Sequence, residues 1–546
     1  MLTLKINGET VDLPNDFSVT MNLKSPIFND PGNYSYPFRL PITPRNSIRI
    51  GFRQRVENTS NVYEDFDGEL QWNGISLFSG TVKLKNLNSK IIEGYILDGS
   101  GDFNYRRKNT MLHELDFGVM EWAEEYFKMD YFNTLANKVY PETNIAFPQI
   151  LNASFFSEPP TDPYYLNFNY YENGKIGGDY TPGQHAFGLI VPMLYLRFVL
   201  DKIFANSGYV LDDSFFSADA DYNKLALFNV VDCNSSPTGY FTYDYRKLFL
   251  NFHVPRISLN DFFLGLETFF NLRLFVNNTT RTVKIISVDQ IVKSNECTDF
   301  SKQVISISTE VEKEITGFTL SMAMDTDDDK WATVKENQES YLSHIKSPVQ
   351  SISDLPPWPS SQELDIRFVK DENSYYMLWD FAWITSDYLD NISMYSEFVY
   401  KSDSEAIETQ FSTLMHDPVD DENCIIGNTR NNWERVTPKL FFSLYQEDIN
   451  SGINNKMVAR NHLAEKNLFY FGEHGLMNKH YKAWFDFRMS TKLVKIVKQM
   501  SFAELKEFDF SKKYMINGTR YLVKSIQVVL KNDVIKPALL ECYTCN

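Results

Sequence analysis

Three glutamates in this sequence have a spacing that could support acid–base chemistry. Residues 119–129 have an amphipathic pattern that predicts a helix, and this helix would carry Glu121, Glu124 and Glu125. Two carboxylates can divide the roles of acid and base in glycoside cleavage. A cluster confined to one helix is more often a solvated face, and that is the interpretation we favour.

Histidines form a second candidate group in the segment GEHGLMNKH. Glu473 and His474 are adjacent, and His480 follows six positions later. A histidine and a carboxylate could act as a general base pair when the protein orients them. Nothing in the sequence orients or desolvates these side chains, so we expect surface histidines.

Two further groups could bind a metal ion. Cys542 and Cys545 form a single CxxC, which we interpret as part of a final strand because a zinc site needs four ligands. An acidic cluster could offer oxygen ligands to calcium, but it lacks the glycine and the later glutamate of an EF-hand loop. We therefore expect a solvated turn, and the aspartates concerned are Asp325, Asp327, Asp328 and Asp329.

Five tyrosines lie in a loop-like stretch and could line a sugar-binding surface or pack the loop onto the body. They are Tyr164, Tyr165, Tyr170, Tyr171 and Tyr180. The sequence contains no glycine-rich phosphate loop, GxSxG elbow or paired-histidine zinc helix. We expect no catalytic residues, no cofactor-binding residues and no metal ligands, so the chain is predicted not to be an enzyme.

Composition narrows the class of protein. The chain has 546 residues, of which 43% are hydrophobic and 23% charged, so it can bury several cores and is not a disordered protein. A net charge of -18 argues against a protein that grips duplex DNA, although an acidic wall could repel DNA that slides past it. Five cysteines, an odd number, do not form a disulfide framework, so we expect the chain to fold in a reducing cytoplasm. The most apolar stretch, residues 186–200, is too short to span a bilayer, so we expect no membrane span.

Hairpin signals dominate both ends of the chain. Residues 1–105 alternate apolar and polar side chains between Asn-Gly turns, which predicts an antiparallel meander curved into a small barrel or sandwich, with Gly80 as a candidate bulge. Residues 513–544 predict a second meander. Between them, Gly208 ends one helical pattern, and Ser258 caps another that runs to Phe270 and is followed by a hairpin.

These patterns predict a mainly β fold with α+β parts: two small β-barrel (tube-type) domains with helix-containing insertions. We expect residues 1–110 to form an N-terminal barrel and 111–190 a loop-rich insertion that is displayed rather than buried. Residues 191–345 would form an α+β domain contributing to the second barrel, 346–480 a peripheral insertion, and 481–546 a C-terminal meander completing that barrel.

Three segments together resemble the tail-hub proteins of bacteriophages, especially those with Bacteroidetes hosts. They are SLFSGTVKL with IIEGYILDGSGDF, then VPRISLNDFFLGLETFFNLRLFVNNTTRTVKII, and finally GTRYLVKSIQVVL. The resemblance covers residues 1–105, 190–290 and 510–546, and none of these segments is a catalytic fingerprint. Residues 112–181 and 345–480 depart from the compact hub pattern.

The resemblance implies a structural protein of the virion tail, assembled in the host cytoplasm. Such hubs have two barrel domains per subunit and form a trimeric ring with pseudo-sixfold symmetry that joins the tail tube to the tip or fibres. A hexamer is the alternative oligomer. Other tail proteins would be partners, and genomic DNA would pass through the axial channel without specific binding. Two other functions stay open at this point: a receptor- or glycan-binding tail protein, and a tail-associated cell-wall hydrolase.

Overall fold

A computed structural model of the chain describes most of its length. The described residues are 2–28, 32–55, 57–58, 65–88, 90–123, 128–152, 167–177, 190–212, 214–233, 246–323, 325, 328, 347, 349–356, 365–369, 374–379, 382–385, 397–416, 424–426, 437–447, 454–470, 473–532 and 534–545.

The largest element is one sheet of 15 strands, called here the main sheet. In spatial order its principal strands are Glu9–Thr10, Leu2–Ile6, Phe66–Trp72, Ile75–Leu87, Ile91–Asp98, Asn33–Ser35, Ser18–Lys24, Thr519–Lys531, Ala538–Cys545, Leu493–Lys498 and Val304–Glu310. Four shorter strands attach beside this path: Phe38–Pro41, Cys297–Asp299, Lys513–Ile516 and Val534–Ile535.

The two terminal meanders belong to the same sheet. Strand Ser18–Lys24 pairs antiparallel with strand Thr519–Lys531, from Ser18 opposite Lys531 to Lys24 opposite Ser525. Their inward side chains form one hydrophobic core, in which Leu4 and Phe78 from the first meander join Ile526 and Leu540 from the second. The ends of the chain therefore stabilise each other through both backbone pairing and burial of apolar surface.

The described strands leave the main sheet open. Its two outermost strands on the principal path, Glu9–Thr10 and Val304–Glu310, each pair on one side only among the described residues. The predicted mainly β fold is confirmed. Closure into two barrels is not seen in the described part of the chain, and it stays a prediction.

The hairpin turns form where the Asn-Gly pairs predict them. Asn7 and Gly8 both have positive φ, as do Asn73 and Gly74, which is the geometry of a two-residue turn matched to strand twist. The predicted bulge at Gly80 is wrong, because the register shifts of strand Ile75–Leu87 lie elsewhere. Gly80 is needed instead for close approach, since a Cβ there would lie 2.1 Å from the carbonyl oxygen of Leu97.

Helices and smaller sheets pack around a second hydrophobic core. The helix Leu259–Phe270 begins at the predicted cap, where Ser258 Oγ accepts a hydrogen bond of 3.1 Å from the Asp261 N–H. The other α-helices of the described residues are Pro44–Arg49, Ser100–Arg107, Lys128–Leu135, Leu196–Asn206, Ser214–Ala218, Val288–Lys293, Lys482–Ser490 and Phe502–Lys506. Short 3₁₀ or π turns occupy Pro26–Phe28, Leu112–Glu114, Ala220–Lys224, Leu250–His253, Ile352–Asp354 and Met477–Tyr481.

The smaller sheets have two to four strands each. Strands Leu272–Asn277 and Thr282–Ser287 form the predicted hairpin, and Val210–Asp212 adds to its sheet in a parallel pairing that was not predicted. The other short strands are Val119–Glu121, Ile145–Ala146, Ile150–Asn152, Asn167–Phe168, Tyr171–Glu172, Lys175–Ile176, Met193–Leu194, Leu225–Leu227, Lys247–Phe249, Phe318–Met322, Ile366–Val369, Ser374–Trp379, Ala382–Thr385, Glu397–Tyr400, Glu405–Thr409, Ser412–Thr413, Met415–His416, Cys424–Ile426, Lys439–Gln446, Lys456–Arg460, His462–Leu463 and Lys466–Asn467.

The segment after residue 111 differs from its prediction in two ways. Residues 119–121 form a strand that pairs with Lys247–Phe249, and the described helical residues are Lys128–Leu135. The segment is also not simply displayed, because Phe132, Phe147 and Phe168 are fully buried in the second core. Aromatic side chains spaced along a loop-rich sequence serve here as core residues, which burial favours strongly.

Candidate assembly surface

The strand Val304–Glu310 ends the main sheet and is called here the assembly edge. It pairs on one side with Leu493–Lys498, from Val304 opposite Lys498 to Glu310 opposite Leu493. No described strand pairs with its other side. The outward-pointing N–H and C=O groups of such a strand can pair with a strand of another chain.

Side chains of the assembly edge are unusually exposed and apolar. Six of its seven residues are exposed, and Ile305 and Ile307 keep 59% and 43% of their surface in solvent. Just beyond the strand, Val311 is 96% exposed. Residues 304–309 read VISIST and carry no charge, whereas exposed edges are usually shielded by lysine, proline or inward-pointing charges. Such an edge favours association with a further strand.

Charged side chains hold the end of the assembly edge against the sheet. Lys495 Nζ lies 2.6 Å from the Glu310 carboxylate, and this hydrogen bond raises the pKa of Lys495. Glu312 accepts a hydrogen bond of 3.2 Å from the Tyr543 hydroxyl, and Lys524 lies 3.8 Å from the same carboxylate. These contacts fix the direction in which the strand leaves the sheet.

A polar cleft lies at another position, where the helix Ser100–Arg107 crosses the main sheet. Its larger part has a volume of about 660 Å³. Arg106 is central: its Nε donates to Asp102 at 3.0 Å, and its Nη2 donates to Asp67 at 2.7 Å. The wider lining comprises Asn7, Asp65, Phe66, Thr81, Tyr105, Lys108 and Asn109.

Mixed charges dominate the electrostatics of this cleft. Partial burial opposes the charge of Arg106, but Asp67 and Asp102 outweigh it and raise the pKa of Arg106 above its ordinary value. Outside the cleft lining, burial together with the charge of Asp102 raises the pKa of the Asp98 carboxyl to about 7. Asp102 also accepts hydrogen bonds from Thr81 at 2.5 Å and from Asn278 at 3.1 Å, so its carboxylate is fully engaged in structural contacts.

The predicted glutamate cluster is not assembled in the described residues. Glu121 lies on the strand Val119–Glu121, is exposed, and forms an ion pair of 3.1 Å with Lys247. Glu124 and Glu125 lie outside the described residues. Because Glu121 belongs to a strand, one helix over residues 119–129 does not carry all three carboxylates.

The expectation of surface histidines is wrong for His480. Its ring is buried between the aromatic rings of Phe270 and Phe215, and its Nε2 lies 2.8 Å from the Tyr222 hydroxyl. Burial lowers the pKa of His480 to about 3. His474 is half-buried and Glu473 is exposed, and neither takes part in this aromatic cluster.

The tyrosines of the loop-like stretch divide in the same way. Tyr171 is buried, and its hydroxyl donates to the Phe147 carbonyl oxygen at 2.9 Å, so it packs the loop onto the core. Tyr170 is half-buried. Tyr164, Tyr165 and Tyr180 lie outside the described residues.

The described cysteines and aspartates that were considered as metal ligands lie in a strand or are buried in the protein. Cys542 and Cys545 lie in the final strand Ala538–Cys545, as predicted. The solvated turn is wrong for Asp325 and Asp328, which are 3% and 1% exposed. Asp327 and Asp329 lie outside the described residues.

The described residues contain neither a cluster of metal ligands nor a helix suited to a membrane. No group of three or more His, Cys, Asp or Glu side chains within them could hold a metal ion. None of their helices is both long and apolar enough to cross a membrane.

The assembly edge was not predicted from the sequence. Residues 304–324 predict strand, but pattern alone does not reveal that residues 304–310 lie at the end of a sheet. A usable signal was present, because VISIST alternates without any charge and is followed by the acidic EVEKE. Asp102 and Arg106 were also missed, although their spacing of four is typical of an ion pair on one helix face.

Comparisons with known proteins give only distant similarities. No protein-family model matches the chain. No curated protein matches it either. Among solved structures, the chain is similar to the 43 kDa tail protein of prophage MuSo2 from Shewanella oneidensis, with 8% identity, a TM-score of 0.33, and coverage of 99% of this chain and 97% of that one.

Two further solved structures are similar at the same level. A tail protein from Neisseria meningitidis MC58 has 7% identity and a TM-score of 0.30, covering 100% of this chain and 95% of that chain. The prophage tail protein gp18 from Listeria monocytogenes EGD-e has 7% identity and a TM-score of 0.31, covering 100% and 94%.

Proposed function

We propose that the chain is a structural protein of a bacteriophage tail that forms a ring-shaped hub around the axial DNA channel. The ring would connect the tail tube to the tip or fibres, with three copies per ring and six as the alternative. The chain would assemble in the host cytoplasm and act in the virion tail. The observation that carries this proposal is the assembly edge, an exposed strand at the end of a 15-stranded sheet whose first six residues carry no charge.

The segments that resemble tail hubs also come together in space. The wider regions 1–105 and 510–546 supply neighbouring parts of the main sheet through the pairing of Ser18–Lys24 with Thr519–Lys531. The second segment contacts the first directly: Asn278 Nδ2 donates to the Ser79 carbonyl oxygen at 2.6 Å, and the Phe103 and Phe263 rings lie 5.7 Å apart. Segments far apart in sequence thus form one contiguous body, as a shared structural unit requires.

Ring formation follows from the geometry of an open sheet. A strand added to the assembly edge by a second copy would bury Ile305 and Ile307 and satisfy outward backbone groups. When the added strand comes from a different surface of the second copy, the contact is head-to-tail and closes into a ring if the rotation per copy divides a full turn. The two barrels of the hub interpretation would then be completed between copies.

Net charge fits a channel that DNA passes through. The chain carries 71 acidic and 53 basic side chains, giving -18. Like charges on the channel wall would keep the phosphate backbone from adhering during exit. The same charge makes specific binding of the genome by this chain unfavourable.

Negative-stain microscopy of the purified chain tests the proposal. We expect rings with an open axial hole, and threefold averaging should strengthen their features. Sedimentation at rising protein concentration should show conversion from monomer to a closed oligomer without larger filaments. Particles that stay monomeric at high concentration would contradict the proposal.

A pair of matched variants assigns the ring contact to the assembly edge. Ile307→Lys places a charge on the strand and should lower the ring population about tenfold or more, because an unpaired charge would be desolvated in the contact. Ile352→Lys is the control, since Ile352 has a similar exposure of 46% but lies in a short helical turn. Equal loss of rings in both variants, or in neither, would show that the assembly edge is not the contact.

A further inference from the structure

A buried lysine faces two buried aspartates in the second core. Lys439 is fully buried, with its Nζ 2.5 Å from Asp328 Oδ2 and 3.1 Å from Asp325 Oδ2. Both carboxyl groups are almost entirely withdrawn from water. Ions are costly to bury even when paired, so this arrangement needs a reason beyond stability alone.

Elements on every side fix this geometry. Lys439 begins the strand Lys439–Gln446, which lies between Leu225–Leu227 and Ser412–Thr413 in its sheet. The Phe228 ring lies 5.6 Å from Nζ, and the Phe228 N–H donates to the Lys439 carbonyl oxygen. The Asp328 N–H donates a hydrogen bond of 3.1 Å to the Asp325 carbonyl oxygen, which holds the two aspartates close together.

We propose that Lys439 and Asp328 form an intramolecular amide bond, with Asp325 as the proton carrier for the reaction. The amine and the carboxyl group are already in contact, and such proximity replaces the entropy cost of bringing reactants together. An apolar enclosure disfavours separated charges and excludes bulk water, which would otherwise favour hydrolysis.

The reaction balances without any co-reactant. A proton moves from the Lys439 ammonium to the Asp328 carboxylate, leaving an amine and a carboxylic acid. The nitrogen lone pair attacks Asp328 Cγ, and Asp325 takes a proton from the nitrogen and delivers it to the departing hydroxyl group. One N–Cγ bond forms, one Cγ–O bond breaks and one water molecule leaves, with no change of oxidation state.

The bond would close a loop of 111 residues in a chain without disulfides. The two partners are 111 positions apart, and all five cysteines are free. A covalent closure restricts the unfolded state and resists mechanical extension in the way that a disulfide does. It would do so in a reducing environment, where disulfides do not persist.

Intact-mass spectrometry of the purified full chain under denaturing conditions tests this inference. We expect a mass one water molecule below the sequence mass, and a branched tryptic peptide that joins Lys439 to Asp328. A full sequence mass after prolonged incubation of the folded protein would overturn the proposal. A missing water located at any other residue would overturn it as well.

Variants identify the roles of the three side chains. Lys439→Met and Asp328→Ala should restore the full sequence mass, and Asp325→Ala should slow or abolish the loss of water. Lys498→Met is the control: Lys498 is also fully buried but faces Glu504, which is 27% exposed, so the loss of water should persist. Because the decisive measurement uses the unaltered chain, a variant that fails to fold leaves the test intact.

Discussion

The buried imidazole of His480 predicts a specific loss of stability in mild acid. His480 Nε2 lies 2.8 Å from the Tyr222 hydroxyl, and the ring sits against Phe215 and Phe270. Its backbone carbonyl accepts a hydrogen bond of 2.7 Å from Asn271 Nδ2. The substitution His480→Gln isolates the effect of protonation, because glutamine keeps a polar side chain at this position but cannot gain a proton.

The size of this stability loss follows from the difference between the pKa values of His480 in the folded and unfolded states. Burial, with the nearby charges of Lys293 and Lys479, lowers the pKa of His480 from 6.5 to about 3. The folded state therefore favours the neutral ring, and its stabilising contribution is complete above pH 6.5. It is lost as the pH falls towards 3, because the unfolded chain binds a proton first. From the two pKa values, the free energy of unfolding should be lower by about 2 kcal/mol at about pH 5 than at neutral pH.

Urea unfolding of the two proteins at a series of pH values measures this effect. Between about pH 7 and pH 5 the unaltered chain should lose about 2 kcal/mol more than His480→Gln does, with carboxylate titrations common to both. A uniform offset between the proteins at all pH values would reflect packing alone. Parallel stability curves would therefore refute the argument that the folded ring resists protonation.

Three further substitutions test packing and polar contacts, each by the shift of its urea midpoint. Gly265→Ala should destabilise by about 1 to 3 kcal/mol despite the better helix propensity of alanine, because the new Cβ would lie 2.4 Å from the Phe411 ring; a gain in stability would contradict this. Ser258→Ala should cost about 1 kcal/mol by removing the cap that accepts from Asp261, and no change would show the cap to be dispensable. Asp102→Ala should lower the free energy of unfolding by about 1 to 3 kcal/mol for each buried donor left unpaired, since Thr81 and Asn278 both donate to Asp102. An unchanged free energy of unfolding would mean that water replaces the carboxylate.

Local chemistry made parts of this fold predictable. Asn7-Gly8 and Asn73-Gly74 adopt the positive φ that hairpin turns need, and the strands beside them alternate as expected. The helix Leu259–Phe270 matches its predicted bounds because cap and apolar spacing agree. Where short-range signals are mutually consistent, sequence alone suffices.

Long-range contacts explain what sequence could not predict. No nearby residues indicate that Ser18–Lys24 pairs with Thr519–Lys531, so the sequence predicts two separate domains for the two meanders. Lys439 begins a strand far along the chain from Asp325 and Asp328, and an acidic run looks solvated until its buried partner is known. Val119–Glu121 fits a helical period yet forms a strand, since pairing with Lys247–Phe249 overrides weak propensity.

The union of the chain's two ends has a consequence for synthesis on the ribosome. The assembly edge pairs with strand Leu493–Lys498, and that strand pairs on its other side with Ala538–Cys545. A nascent polypeptide does not have both supports until Ala538–Cys545 has emerged, so its assembly edge is not fully held before then. Unfinished copies would therefore present no template for one another, and premature polymerisation on crowded polysomes would be avoided by the order of translation itself.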